Sequence, residues 1–188
     1  MDCQTKDAIV YEHFSDLSRL SYRLGAKARS RYFFFTFTRS PFLRTLSAFK
    51  NKLKHQHFYI EKFGPRIRRL SDTGDIDFIG FARYLERGGL YKDMHWMPQA
   101  SFVCPSYSRI DFFVKVENLH ADLEIVLKRC FGSASVLDQI DLRKYHGGQR
   151  RTNADQSATE DYNDETIEIV RRLYATDFRL FDYSLDPF

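Results

Sequence analysis

Hydrophobic residues along this chain alternate between short aromatic runs and stretches with helical spacing. Tyr32-Phe33-Phe34-Phe35-Thr36-Phe37-Thr38 is aromatic and β-branched with no clean period of two, which predicts a strand covered on both faces. Behind it, Phe42, Leu46, Phe49 and Leu53 recur at helical spacing opposite a polar face of Ser40, Arg44, Ser47 and Asn51. Ser40 is placed to cap that helix, and Pro41 falls at its first position, where a missing N–H costs nothing. Before the strand, Ala8, Val10, Phe14, Leu17, Leu20 and Leu24 predict one amphipathic helix within residues 1–30, closed by Gly25.

Further along, a basic and poorly periodic stretch reaches to about residue 74 and reads as a long loop. Asp75 can cap a helix carrying Phe78, Phe81, Ala82 and Leu85 on one face, with Gly88-Gly89 as its stop. Ile110 to Val116 reads as a second strand, and Asn118 as the cap of a helix presenting Leu119, Leu123, Val126 and Leu127. Residues 141–163 are polar and predict a loop or linker. A final helix buries Ile167, Val170, Tyr174 and Phe178, with Phe181 a further candidate. Helices alternating with strands predict an α/β fold with a parallel sheet flanked by helices, and 188 residues predict a single domain, 1–188.

The junction at Thr38 to Leu53 carries the first candidate chemistry. Amides free in the first turn, the positive end of a helix dipole, and the charges of Arg39 and Arg44 together make an anion site; Ser47 can point its hydroxyl the same way. Taken alone, the pattern is also that of an ordinary capped surface helix.

Arg39, Pro41, Phe42, Arg44, Ser47 and Ala48 match R-x-P-F-x-R-x-x-S-A, and so this stretch resembles the 3′-phosphate-binding motif of carbohydrate sulfotransferases. Three further segments follow in the family's order. Phe81 to Cys104 contains D-x-H-W-x-P-Q, Arg109 to Leu127 is similar to a strand with E-N-L and an apolar helix, and Asp164 to Ser184 is similar to the closing helix with its tyrosine and D-F pair. The resemblance implies a P-loop-like nucleotide-binding fold and transfer of a sulfuryl group from 3′-phosphoadenosine 5′-phosphosulfate (PAPS) to a sugar hydroxyl. It assigns Arg39 and Ser47 to the donor's 3′-phosphate, with Arg44 either a helper or a structural partner. It implies no metal.

One family element is not found in the sequence. The residues before the aromatic strand contain Lys6 and Lys27 but no Gly/Ser/Thr-rich loop behind an apolar strand to cradle the 5′-phosphosulfate. The fold therefore reads as N-terminally incomplete, either a truncated enzyme or a degenerate relative. The expectation is little or no sulfate transfer by the 188 residues, and self-association through an exposed sheet edge.

Charge sharpens the choice of partners. Arg19 to Arg69 holds fourteen Lys and Arg against the single acid Glu61, while the rest of the chain is net −9, so the first third faces anions. Basic residues interleaved with Phe49, Phe58, Tyr59 and Phe63 also suit a single-stranded RNA groove, and a solvated basic face is the plain alternative. With the resemblance in hand, an acidic donor and an anionic glycan account for the same charges. A noncatalytic relative binding nucleotide or anionic glycan is the second reading, and an RNA-binding module the third.

No segment reads as a membrane span or secretion signal, and none of the four asparagines lies in a glycosylation sequon, so the chain as written is expected in the cytosol. A fragment of an anchored animal-type relative would belong in the Golgi lumen. Cys3, Cys104 and Cys130 suit neither a disulfide framework nor zinc, and read as buried or unremarkable thiols.

His95 is the candidate base. Sulfuryl transfer needs a group to take the acceptor hydroxyl's proton, and a histidine titrating near neutrality suits that task. The same residue, in Asp93-Met94-His95-Trp96-Met97-Pro98-Gln99, can instead hold its loop together. Glu117 is a weaker candidate, read as a structural acid paired with an arginine.

Overall fold

The computed structural model describes residues 33–103, 110–135, 137 and 154–187, with the side chains of 154–157 left undescribed. The expected N-terminal helix, Cys3, Cys104 and the stretch 141–153 lie outside the described residues.

Strand β1, Phe35–Thr38, pairs in parallel with β2, Phe112–Lys115, in the register Phe35 to Phe112 and Thr38 to Lys115. Parallel neighbours need a long crossover, and here it is built from helices. After β1 the chain enters α1, Pro41–Ala48, which widens into a π-helical turn over Phe49–Leu53. Next come α2, His57–Arg68, and α3, Phe78–Tyr84, which runs on through Leu85 and Glu86 before Arg87 and Gly88 leave helical geometry. A short α4, Ala100–Val103, precedes β2. Beyond β2 lie α5, Leu119–Phe131, α6, Ala154–Asp161, α7, Asp164–Leu173, and α8, Ala175–Leu180. The described part is a mixed α/β arrangement with a parallel pair of strands and helices around it.

The core lies among α1, α2, α3 and the C-terminal helices. Phe42, Leu46, Phe49 and Leu53 are all buried, as their spacing predicts. They pack with Phe63, Ile67, Phe81, Trp96, Val170, Tyr174 and Phe178. Each such side chain contributes roughly 1.5 to 3 kcal/mol through burial. Edge-on ring contacts link them: Trp96 meets Phe63 at 5.0 Å and Phe81 at 5.4 Å, and Phe42 meets Tyr162 at 5.5 Å.

Five expectations need correction. The aromatic strand is not covered on both faces, since Phe35 is 39% and Phe37 52% exposed. The face with the buried Thr38 is the covered one, while Phe33, Phe35 and Phe37 pack on one another along the other. The basic stretch is not a loop, because Tyr59, Phe63 and Ile67 lie four residues apart and dock α2 onto the core while Pro65 rides on the exposed side. Asp77, not Asp75, caps α3: its carboxylate accepts from Gly80 N at 2.8 Å and from the hydroxyls of Ser71 and Thr73. The supposed linker ends in α6, which buries Ala158 and leads to the buried Tyr162, whose hydroxyl donates to the Phe42 carbonyl at 2.8 Å. The final helix is two, α7 and α8, separated at Tyr174, and an Asn163–Thr166 capping box starts the first. The described cysteine, Cys130, is exposed.

Candidate active site

The ends of the parallel strands lie side by side, and the chain leaves each of them into a helical turn. A parallel sheet places its ligand crevices at this edge, outside the carboxyl ends of the strands. Arg39 and Ser40 follow β1, and Glu117 follows β2 in a short 3₁₀ turn, Val116–Asn118.

Backbone groups at this edge are tightly claimed. Gln99 clamps Arg39 from both sides, accepting from its N–H at 2.9 Å and donating to its carbonyl at 2.7 Å. Glu117 accepts from Ser40 N at 2.7 Å and from the Tyr183 hydroxyl at 3.1 Å. With the Tyr183 proton so committed, Thr38 donates its hydroxyl to Tyr183 at 3.2 Å. Burial pushes the Tyr183 hydroxyl well up, with the nearby Glu117 charge adding to it, so the phenol stays a donor. Glu117 is thus a structural acid as expected, but its partners are an amide and a phenol in place of an arginine.

This arrangement changes the account of the anion site. Ser40 occupies the capping position, yet its side chain makes no capping hydrogen bond, and a carboxylate already sits on the adjacent amide. The Glu117 carboxylate thus already brings negative charge to the helix start. An incoming phosphate would meet that carboxylate; Arg39, just before α1, and Ser47, within it, are both partly exposed.

Arg44 points elsewhere. Its guanidinium donates to the carbonyls of Met97 at 2.7 Å and Met94 at 3.0 Å, which fastens α1 to the loop Asp93–Gln99. Burial lowers its pKa, and the Tyr174 and Asp177 side chains oppose that shift. Of the two roles open to it, the geometry supports the structural one.

The loop is held at further points. Trp96 is fully buried and donates its indole N–H to the Gly89 carbonyl at 3.0 Å, while the Tyr174 hydroxyl donates to the Trp96 carbonyl at 2.5 Å. Burial pushes the Tyr174 hydroxyl up to about 12. Asp177, with no exposed surface, accepts from Gln99 N at 2.7 Å and Ala100 N at 2.8 Å, and so begins α4. Burial raises its pKa, while those two amides and the Arg44 charge pull it back.

His95 stands at the loop's open side, its side chain 38% exposed. Its Nδ1 lies 2.6 Å from Asp93 Oδ1, which also accepts the His95 backbone N–H at 2.9 Å. The Tyr59 hydroxyl is 3.3 Å from the same nitrogen, and its ring packs edge-on against the imidazole. Burial pushes the Asp93 carboxyl up, but the His95 hydrogen bonds and charge more than reverse this, leaving it below its ordinary value. A carboxylate on Nδ1 selects the tautomer protonated there and leaves Nε2 as the acceptor.

Sequence reasoning nominates Arg39, Arg44, Ser47 and His95 and does not reach Asp177 and Tyr59, which the structure places against the Asp93–Gln99 loop. Asp177 was visible only as half of the D-F pair in the closing segment. Among the described residues no cluster of acids, histidines or cysteines could hold a metal, and no helix is long and apolar enough to cross a membrane.

The sulfotransferase family model matches residues 2–184, and the chain belongs to that family. Its relatives include carbohydrate sulfotransferase 14 of Danio rerio, 33% identical over 64% of this chain and 37% of that protein. Carbohydrate sulfotransferase 11 of Rattus norvegicus is 26% identical over 98% of this chain and 56% of its own length, and carbohydrate sulfotransferase 10 of the same species is 28% identical over 96% and 56%. The chain thus spans from about a third to somewhat over half of the curated relatives it matches. No solved structure matches it.

Proposed function

We propose that this chain is the part of a PAPS-dependent carbohydrate sulfotransferase that grips the donor's 3′-phosphate and presents a base to the acceptor hydroxyl. The carrying observation is the bracket between motif and base: Arg44, inside the phosphate motif, holds the two carbonyls on either side of His95-Trp96. Arg39 supplies the charge and Ser47 the hydroxyl for the 3′-phosphate, a pairing that suits an oxyanion bound by side chains. Bound there, the donor supplies the sulfuryl group.

His95 then acts at the acceptor. Its Nε2 takes the proton of the sugar hydroxyl as that oxygen bonds to sulfur and the bond from sulfur to the 5′-phosphate oxygen breaks, the nucleotide leaving as adenosine 3′,5′-bisphosphate, and Asp93 steadies the resulting imidazolium through Nδ1. Arg44, Tyr174 and Asp177 are positioning residues. They hold the loop so that the base does not have to be ordered at the moment of reaction.

Calorimetry with adenosine 3′,5′-bisphosphate and with 5′-AMP tests the donor half. The 3′-phosphorylated nucleotide is expected to bind more tightly, and Arg39→Ala to weaken it by about tenfold or more, since a hydrogen bond to a charged group is worth roughly 1.5 to 3 kcal/mol. Equal affinity for the two nucleotides would refute the assignment.

A further inference from the structure

A cleft of about 360 Å³ opens between the C-terminal end of α2 and the turn after α3, next to the Asp93–Gln99 loop but lined by other residues. Arg66 and Arg69 line it from one side, Arg87 and Lys92 from the other, with Tyr84 and Gly89 between. Among the described residues, none of these four cations has an ion pair with an acid. Neighbouring arginines behave differently: Arg83 is clamped by Asp72 and Glu165, and Arg171 and Arg172 are paired with Glu168 and Glu86. Four like charges around one concavity repel each other and gain from an anion that enters it.

Tyr84 points to the same need. It is 4% exposed, and its hydroxyl is buried with no hydrogen-bond partner among the described residues. An unsatisfied buried polar group is a cost that a ligand oxygen would relieve. The backbone of Gly89 lies so close to the ring that a Cβ there would meet the ring carbons at 2.4 and 2.6 Å, and Gly88 turns the chain with φ of 96°. The volume is in the range of small-ligand sites.

We infer that this cleft binds a sulfate or carboxylate group of an acidic oligosaccharide, at a subsite separate from the nucleotide. That the carrier is a sugar rests on the function proposed above; the oxyanion site does not. Arg66 follows Tyr59, the neighbour of His95, by seven residues of α2, which places the cleft about 10 Å along the helix from the base. An extended sugar chain with its hydroxyl at His95 reaches the cleft with a neighbouring unit. RNA suits it less, because its ring, Tyr84, is buried and offers no face on which bases can stack.

Calorimetry on the full chain at physiological salt, with oligogalacturonate, dextran sulfate oligomers, neutral dextran and poly(U), tests this. One or both acidic oligosaccharides should bind and neutral dextran should not, and whichever acid binds better identifies the group. Replacing Arg66 and Arg69 together by Ala should weaken that binding by about tenfold or more, while Arg68→Ala, on the same helix but outside the cleft, should change it less than about twofold. Tyr84→Phe should weaken binding severalfold and leave the ligand-free melting temperature unchanged or higher. Affinity for adenosine 3′,5′-bisphosphate should survive every cleft variant, and Arg39→Ala should spare the oligosaccharide, so either assignment can fail alone. Absence of binding by both acidic oligosaccharides, an equal loss in Arg68→Ala, or tighter binding of poly(U) would overturn the inference.

Discussion

Replacing Asp177 by Ala tests whether the candidate site is held from behind. The carboxylate is fully buried and accepts from two backbone amides at 2.7 and 2.8 Å, those of Gln99 and Ala100. Each amide left without an acceptor costs about 1 to 3 kcal/mol, and Arg44 loses a nearby negative charge. Burial of Asp177 itself is unfavourable and offsets part of this, so a net loss of about 3 to 5 kcal/mol is expected, the range for breaking a buried charged contact. In a chain of this length that lowers the melting temperature by roughly 6 to 20 °C. The loss should also travel. Gln99 holds both backbone groups of Arg39, so an unfixed Gln99 loosens the end of β1. Hydrogen exchange should show the amides of Gln99, Ala100 and Arg39 exchanging faster, at a temperature well below the variant's own transition. A loss under about 1 kcal/mol in urea unfolding, together with unchanged protection of Arg39, would refute the reasoning.

Asp93→Asn should flatten the acid side of the stability profile. The Asp93 pKa is lowered in the folded chain, so its contribution is present above the unfolded value of 3.8 and is lost as pH falls through the folded one; urea midpoints between pH 2 and 5 would read this. Leu46→Ala, at a fully buried position of α1, should cost about 2 to 5 kcal/mol in urea unfolding. Arg44→Lys leaves one of the two carbonyls at a time without its donor, and should reduce sulfate transfer or acceptor binding more than it reduces affinity for adenosine 3′,5′-bisphosphate. His95→Asn should remove most of any sulfate transfer while leaving nucleotide affinity unchanged by calorimetry.

The helix behind the phosphate motif was legible because four large apolar side chains repeat without interruption, and the parallel pairing because helices separate the two strands. Helix α2 was hidden by Gly64-Pro65, a dipeptide that punctuates most helices but here sits where Gly64 lets Ile76 approach and Pro65 faces outward. In α6 the described burial comes down to Ala158, with Tyr162 just beyond its end, too little for an amphipathic pattern to emerge from a polar stretch. At the site, the motif marked Arg39 and Ser47, and a sequence pattern could nominate His95. It could not show that Glu117 already sits on the Ser40 amide, or that Asp177 is buried, because both depend on partners 77 and 78 residues away.

Those separations bear on the order in which the molecule acquires its shape. Strand β1 meets β2 across 77 residues, Arg39 meets Gln99 across 60, and Tyr174 meets Trp96 across 78. Contacts so distant along the chain require large loops to close before they return any energy, and such closures are slow relative to helix formation. During synthesis, the loop that carries His95 leaves the ribosome long before Tyr174 and Asp177 exist to fasten it. On the function proposed above, nucleotide capture is an end-point reporter of folding: it should appear in refolding experiments with the slowest phase, after the helical signal has reached its final value.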